Sequence, residues 1–267
     1  MSDDYLDTYK NISRIFTKKN NLRNIVATKP NSKPLVPIDN IDIFLSENFV
    51  ELDDKGHKFY ISKFLVTQAQ YESLMGNNPS YFKGEKLPVE NVSWHDAAEF
   101  CNRLSEQFEK TKNEKRYINQ NEKLIEDITK KGFRLPTDDE WVYAAKHCRK
   151  DNIETTEFAG TNNEKDLEKY AWFYKNSNSQ THEVGTALKA DELKIYDMSG
   201  NVWEWCEDWY DDKTRYRVLR GGSWGSGAEY CRVSDRDCGG PGARGYDIGF
   251  RLARSLEFAT RGYLSML

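Results

Sequence analysis

Tyr196-Asp197-Met198-Ser199-Gly200-Asn201-Val202-Trp203-Glu204-Trp205, followed by Arg220-Gly221-Gly222-Ser223-Trp224, is the stretch on which the fold turns. It is rich in glycine and tryptophan and has no helical period. The aromatic Trp203, Trp205 and Trp209 read as core more readily than as sugar-stacking rings, because each sits in or beside this run. Beyond it, Tyr216 to Arg220 and Ile248 to Leu252 read as short strands. Upstream, Phe49 to Leu52 and Phe59 to Val66 read as two strands around an Asp53-Asp54-Lys55-Gly56 turn.

Three capped helix starts lie between these strand regions. Thr67 to Gln70 and Ser93 to Asp96 have capping-box spacing, and Thr137 with Glu140 repeats it. After the second cap, Ala97, Ala98, Cys101, Leu104 and Phe108 recur at helical spacing. Residues 109–131, rich in Lys, Asn and Glu, read as a solvated excursion. The expectation is an α+β fold with helices early and an irregular, glycine-rich β region late. Residues 1–42 are expected to be an N-terminal arm and linker, 43–255 the domain, and 256–267 a tail.

The 267 residues suit one large domain, which at this size buries roughly 70–75% of the surface of the unfolded chain. Net charge is −4, so no basic excess favours nucleic acid as a partner. No run of 18 apolar residues marks a transmembrane segment, and the acidic start carries no secretory signal as written. Cys101, Cys148, Cys206, Cys231 and Cys238 show no CxxC spacing, which indicates neither a zinc site nor a disulfide framework. Asn11-Ile12-Ser13 has glycosylation spelling, a pattern common by chance.

Six segments in order resemble one family: Phe64 to Tyr71, Pro88 to Ala97, Phe133 to Trp141, Tyr196 to Trp205, Arg220 to Trp224, and Ile248 to Arg251. The family is that of the formylglycine-generating (sulfatase-modifying) enzymes, and the resemblance implies their subclass of the C-type-lectin fold. Active members bind copper(I) through two cysteines, for which soft thiolates are the suitable ligands. The family spacing places these at Ser226 and Cys231, so one thiolate is replaced by a hard hydroxyl. Cys231 is better read as a small buried hydrophobe. Four scattered histidines, His57, His95, His147 and His182, do not supply the cluster of the related iron-dependent synthases. The resemblance also implies a calcium site at Asp197, Gly200, Val202 and Glu204, where oxygen ligands suit the ion. The alternative is that the two carboxylates satisfy turn amides. Calcium would be structural, and no cofactor is required. The family's other calcium site is not reproduced by Ala171-Trp172-Phe173.

Asparagine occurs twenty times from Asn11 to Asn201 and then stops, and lysine stops at Lys213. Between Trp224 and Ile248 the chain is instead rich in Gly, Ser, Asp, Tyr and Arg, a composition suited to an adaptable contact surface. The bland reading is an ordinary loop. The segment also resembles the variable region of proteins diversified by retroelements, in which asparagine codons mutate at adenines. On that pattern the scattered positions are Gly225, Ser226, Gly227, Tyr230, Asp235, Asp237, Cys238, Gly239, Gly240, Ala243, Gly245, Tyr246 and Asp247, with Gly242 a further one. Each is a residue that adenine changes reach from an asparagine codon. Val233 and Ser234 depart from the template. The resemblance implies a catalytically inactive scaffold that presents a changeable face, anchored by Tyr230 and Tyr246, to an unidentified protein or surface ligand. It implies placement at a bacterial cell surface or outside the cell. A copper-dependent oxidase and a calcium-dependent sugar-binding lectin are the alternatives.

Overall fold

The structure is a computed structural model that describes residues 41–256 except 121–122, 148–155, 188–193, 212 and 214. It opens on helix α1 (Ile41–Asn48), which turns directly into β1 (Phe49–Asp54). Ile41, Phe44 and Leu45 are buried, so α1 crosses the boundary expected at 42/43 with its apolar side in the core. β1 pairs antiparallel with β2 (His57–Leu65) through a two-residue turn, Asp54 opposite His57. The Asp53 side chain accepts from the Gly56 amide at 2.7 Å and closes that turn.

All three caps form as the spacing dictates. Thr67 starts α2 (Gln68–Met75) and Ser93 starts α3 (Trp94–Ser105), each with a reciprocal capping box. At α4 (Asp138–His147) the Glu140 amide donates to Thr137 Oγ1, and the Thr137 amide returns to Glu140 Oε2. α3 buries Trp94, Ala97, Ala98, Phe100, Cys101 and Leu104. α4 buries Trp141, Ala144 and Ala145.

The stretch 109–131 is more than a solvated excursion. It carries a hairpin of β3 (Tyr117–Gln120) and β4 (Lys123–Glu126). Tyr117 is buried, and Arg116 makes a bidentate pair with Glu207 at 2.9 and 2.7 Å. The polar composition conceals this, because the buried group is a charge satisfied from a distant strand.

Two four-stranded sheets organise the rest. The first has the order β1-β2-β10-β5, with β5 at Phe133–Arg134 and β10 at Arg251–Ser255. The second has the order β8-β7-β6-β9, with β6 at Trp203–Trp209, β7 at Arg217–Arg220, β8 at Asp237–Gly239 and β9 at Ile248–Gly249. The expected single strand at Ile248 to Leu252 is therefore two: β9 lies parallel to β6, and β10 lies antiparallel to β2 in the other sheet. Phe250, fully buried, sits at the crossing and packs edge-on against Phe100. Trp94 and Trp205 lie in the core, where their indole N–H groups donate to the Cys206 and Val92 carbonyls. Among the described residues no helix is long and apolar enough to cross a membrane.

Candidate functional site

Residues 220–253 contain five arginines, and each pairs with a carboxylate from elsewhere in the chain. Arg220 Nε meets Asp138 Oδ1 at 2.5 Å, and its Nη1 donates to the carbonyls of Val233, Ser234 and Asp235. Arg236 meets the other Asp138 oxygen at 2.9 Å and lies over the Tyr210 ring. Arg232 pairs with Glu157, and Arg244 with Asp96 at 2.6 Å. Asp96 is also the carboxylate of the α3 capping box, so Arg244 fastens the segment to a helix start. Arg251 and Glu204, both fully buried, form a two-point pair at 2.6 and 2.8 Å.

Main-chain bonds add to these tethers. The carbonyls of Ser226, Gly245 and Asp247 accept from the amides of Tyr174, Asn91 and Trp203 at 3.0, 2.8 and 2.7 Å. All three acceptors are scattered positions, and a carbonyl bond is indifferent to the side chain that its residue carries. Gly222 has φ +72°, and a Cβ there would stand 2.9 Å from both Cys231 Sγ and the Tyr230 carbonyl oxygen. The turn before the segment is thus closed to any other residue without a shift.

Of the thirteen scattered positions, only Ser226 is buried. Tyr230 and Tyr246 are 49% and 54% exposed. At Gly225 a Cβ would make only one contact, at 4.0 Å, and at Gly240 and Gly242 it would meet nothing within 4 Å. At Gly227 it would meet the movable carboxylate of Glu229. Gly239 differs, because a Cβ there would lie 2.6 Å from the ring of buried Trp205. Asp235 and Asp247 are partly buried, and burial raises both carboxyls above their usual range.

Two residues outside the segment join its surface, and nothing in the sequence marked them. Tyr81, 62% exposed, stacks on Tyr246, and Phe82 packs edge-on against Trp224. The Trp224 indole donates to the Tyr246 carbonyl at 3.2 Å. Beneath this group lies Glu90, with no exposed surface, whose Oε1 accepts from the Phe82 amide at 2.9 Å. Its Oε2 has no hydrogen-bond partner among the described residues, and desolvation pushes the carboxyl up to about 7.

The positions matching the copper ligands are otherwise engaged. Ser226 Oγ accepts from the Ser223 amide at 2.9 Å. Cys231 is buried with Phe158, Leu167, Ala171 and Phe173, and its thiol is pushed up to about 12. Of the four residues matching a calcium site, the two carboxylates are spent on protein donors. Both oxygens of Glu204 take Arg251, and Oε2 also takes the Trp141 indole. Asp197 Oδ2 takes the Gly185 amide at 2.7 Å, and burial pushes its carboxyl up to about 6. Among the described residues no three His, Cys, Asp or Glu side chains gather as metal ligands. A cation at Glu204 would have to displace a buried guanidinium, so the set does not fit calcium as it stands.

Residues 49–256 match the model of the sulfatase-modifying factor enzyme 1-like domain. The chain is 35% identical to the chaperone protein LppX of Paenibacillus barcinonensis, over 79% of this chain and 83% of that protein. It is 28% identical to the inactive C-alpha-formylglycine-generating enzyme 2 of Mus musculus over 64% of its own length, and it spans half of that relative. Among solved structures it resembles Treponema denticola variable protein 1, with 38% identity, a TM-score of 0.66, and coverage of 74% of this chain and 84% of that one.

Proposed function

The chain belongs to the sulfatase-modifying factor enzyme 1-like domain family, and from that premise we propose that it is a ligand-binding protein whose residues 220–253 form a diversified contact face. Its α+β fold is the formylglycine-generating-enzyme subclass of the C-type-lectin fold, with helices early and strands late.

One observation carries the reading. Fixed and scattered residues of the segment are sorted by role: the arginines are committed to carboxylates outside it, while all the scattered side chains but Ser226 lie at or near the surface, and main-chain bonds at 226, 245 and 247 hold the backbone. An ordinary loop has no reason to be sorted in this way. The likeness to Treponema denticola variable protein 1, at 38% identity, supports the same reading. The face holds exposed Tyr81, Tyr230 and Tyr246 beside Asp235, Asp237 and Asp247, a mixture suited to a protein or other surface ligand. Catalysis of the family's oxidative type is not part of the proposal. Ser226 supplies no thiolate, and the Cys231 thiol is buried and hard to ionise. Calcium is not part of it either, for the geometric reason given at Glu204.

The test is to sequence the DNA flanking this gene for a near-copy of the stretch encoding residues 220–253. A copy that differs only at adenines, with asparagine codons at the scattered positions, is expected. If no copy exists and the same thirteen positions are constant among separate isolates, the diversified reading is lost. Copper-dependent oxygen uptake with a cysteine peptide, abolished by Cys231→Ala, would establish the oxidase in its place.

A further inference from the structure

We propose that the chain has a second ligand site, a cleft outside the diversified segment that takes a small zwitterion of the amino-acid or dipeptide type. The cleft holds about 590 Å³, within the roughly 300–1,000 Å³ typical of small-ligand sites. It lies between the β1–β2 turn, the β3–β4 hairpin and strands β6 and β7, and residues 220–253 contribute nothing to its lining.

Three Arg–Glu pairs converge on it: Arg116–Glu207 at 2.7 Å, Arg134–Glu140 at 2.6 Å and Arg217–Glu126 at 2.5 Å. Buried ion pairs are a poor source of stability compared with apolar packing of the same volume. Two buried pairs, with a third half-open at Glu126, around one cavity therefore point to a use for charge there. The pairs also leave a donor unspent. The Arg217 guanidinium is clamped between the rings of Trp94 and Trp209, with its carbon 3.8 and 3.5 Å from their centroids. Its Nε is buried and finds no hydrogen-bond partner among the described residues. The half-buried His57 spends Nε2 on Glu140 Oε1 at 2.8 Å, a contact that favours the charged ring, and the charged ring keeps its Nδ1–H to offer.

Balance of charge selects the ligand. Five Lys or Arg and six Asp or Glu side chains line the cleft, and a protonated His57 evens the count. A simple anion or a simple cation therefore gains little net field. A molecule carrying both signs can offer its carboxylate to His57 and the rim Lys58, with the Arg217 charge beneath them, and its ammonium to Asp54 and Asp139 on the same rim. Trp209 and Ile128 supply an apolar wall for its side chain. The volume accommodates two linked residues better than one.

Calorimetric titration of the full chain with alanyl-leucine, N-acetyl-alanyl-leucine and alanyl-leucine amide tests this. The free dipeptide should bind, and each singly charged analogue should bind at least about tenfold more weakly, because one desolvated charge loses its partner. Lys58→Gln and Asp139→Asn, both at the rim, should each weaken the free dipeptide about fivefold or more. Tyr246→Ser, on the diversified face, should leave its binding unchanged, which separates this site from that one. Equal binding of all three peptides, preference for either blocked form, or no heat up to about 10 mM would overturn the proposal. So would insensitivity to both rim changes.

Discussion

Tyr81 stacks on Tyr246 with ring centroids 4.7 Å apart and planes 28° from parallel, so a residue outside segment 220–253 fixes the pose of a residue within it. Both rings are more than half exposed, and the pair adds little to the core. Its value lies in holding an anchor ring ready, which saves the entropy of ordering it when a ligand binds.

Tyr81→Ala should therefore weaken a ligand recovered by screening against the intact chain by about two- to tenfold. The urea midpoint should barely move. Tyr246→Ala should give a similar loss, and the double change less than the sum of the two. Additive losses in that cycle would mean that the stacked pair does not act as a unit.

Arg220 and Arg236 share one carboxylate, Asp138, yet should differ in worth. Arg220 is buried and holds three carbonyls at 233–235, whereas Arg236 is one-third exposed. Arg220→Ala should cost about 3 kcal/mol or more and speed hydrogen exchange through 233–239. Arg236→Ala should cost about 1 kcal/mol at most. If exchange in 233–239 is unchanged by Arg220→Ala, the tether is not what holds the loop.

Glu90 sets a sign for the dependence on pH. Its folded pKa, about 7, lies above the ordinary carboxyl value of 4.5, so the folded state binds the extra proton in this window. That contribution is complete below about pH 4.5 and lost as pH rises through 7. Asp197, raised to about 6, acts in the same direction over a lower window. Stability measured by urea should fall between pH 5 and 8, and Glu90→Gln should flatten the fall by about 2 kcal/mol. An unaltered slope in that variant would show that Glu90 does not titrate there.

At Gly239 geometry and the scattered pattern pull apart. Gly239→Asn drives a Cβ toward the Trp205 ring and should cost about 1–3 kcal/mol, while Ala243→Asn on the open surface should stay within about 0.5 kcal/mol. A neutral Gly239→Asn would mean that Trp205 has a second rotamer to occupy.

The capping boxes and the β1–β2 hairpin were legible because their hydrogen bonds join residues three apart. The abrupt end of asparagine at Asn201 singles out residues 225–247, while the thirteen scattered positions rest on the resemblance to diversified proteins. What stayed hidden is non-local. Asp96 sits 148 residues from its partner Arg244, and Glu204 sits 47 from Arg251, so no local spacing rule could join them. Tyr81 gave no signal, since an exposed tyrosine in a loop is ordinary until its neighbour is known. The helix at Ile41–Asn48 was missed because its apolar residues follow a proline-rich stretch and are too few to show a period. The split of Ile248 to Leu252 into two strands depends on which sheet each half meets.

The main-chain bonds at Ser226, Gly245 and Asp247 bear on how such a chain can evolve. Because those carbonyls and the intervening arginines hold the backbone, a new side chain at one scattered position leaves its neighbours where they were. Free-energy effects of substitutions in 235–240 should then add to those in 225–227 and 243–247, while Ser226 and Asp247, which share the Ser223 hydroxyl, should couple. A population of variants on this backbone would search sequence space one group at a time, each improvement in one group remaining useful in every background of the other.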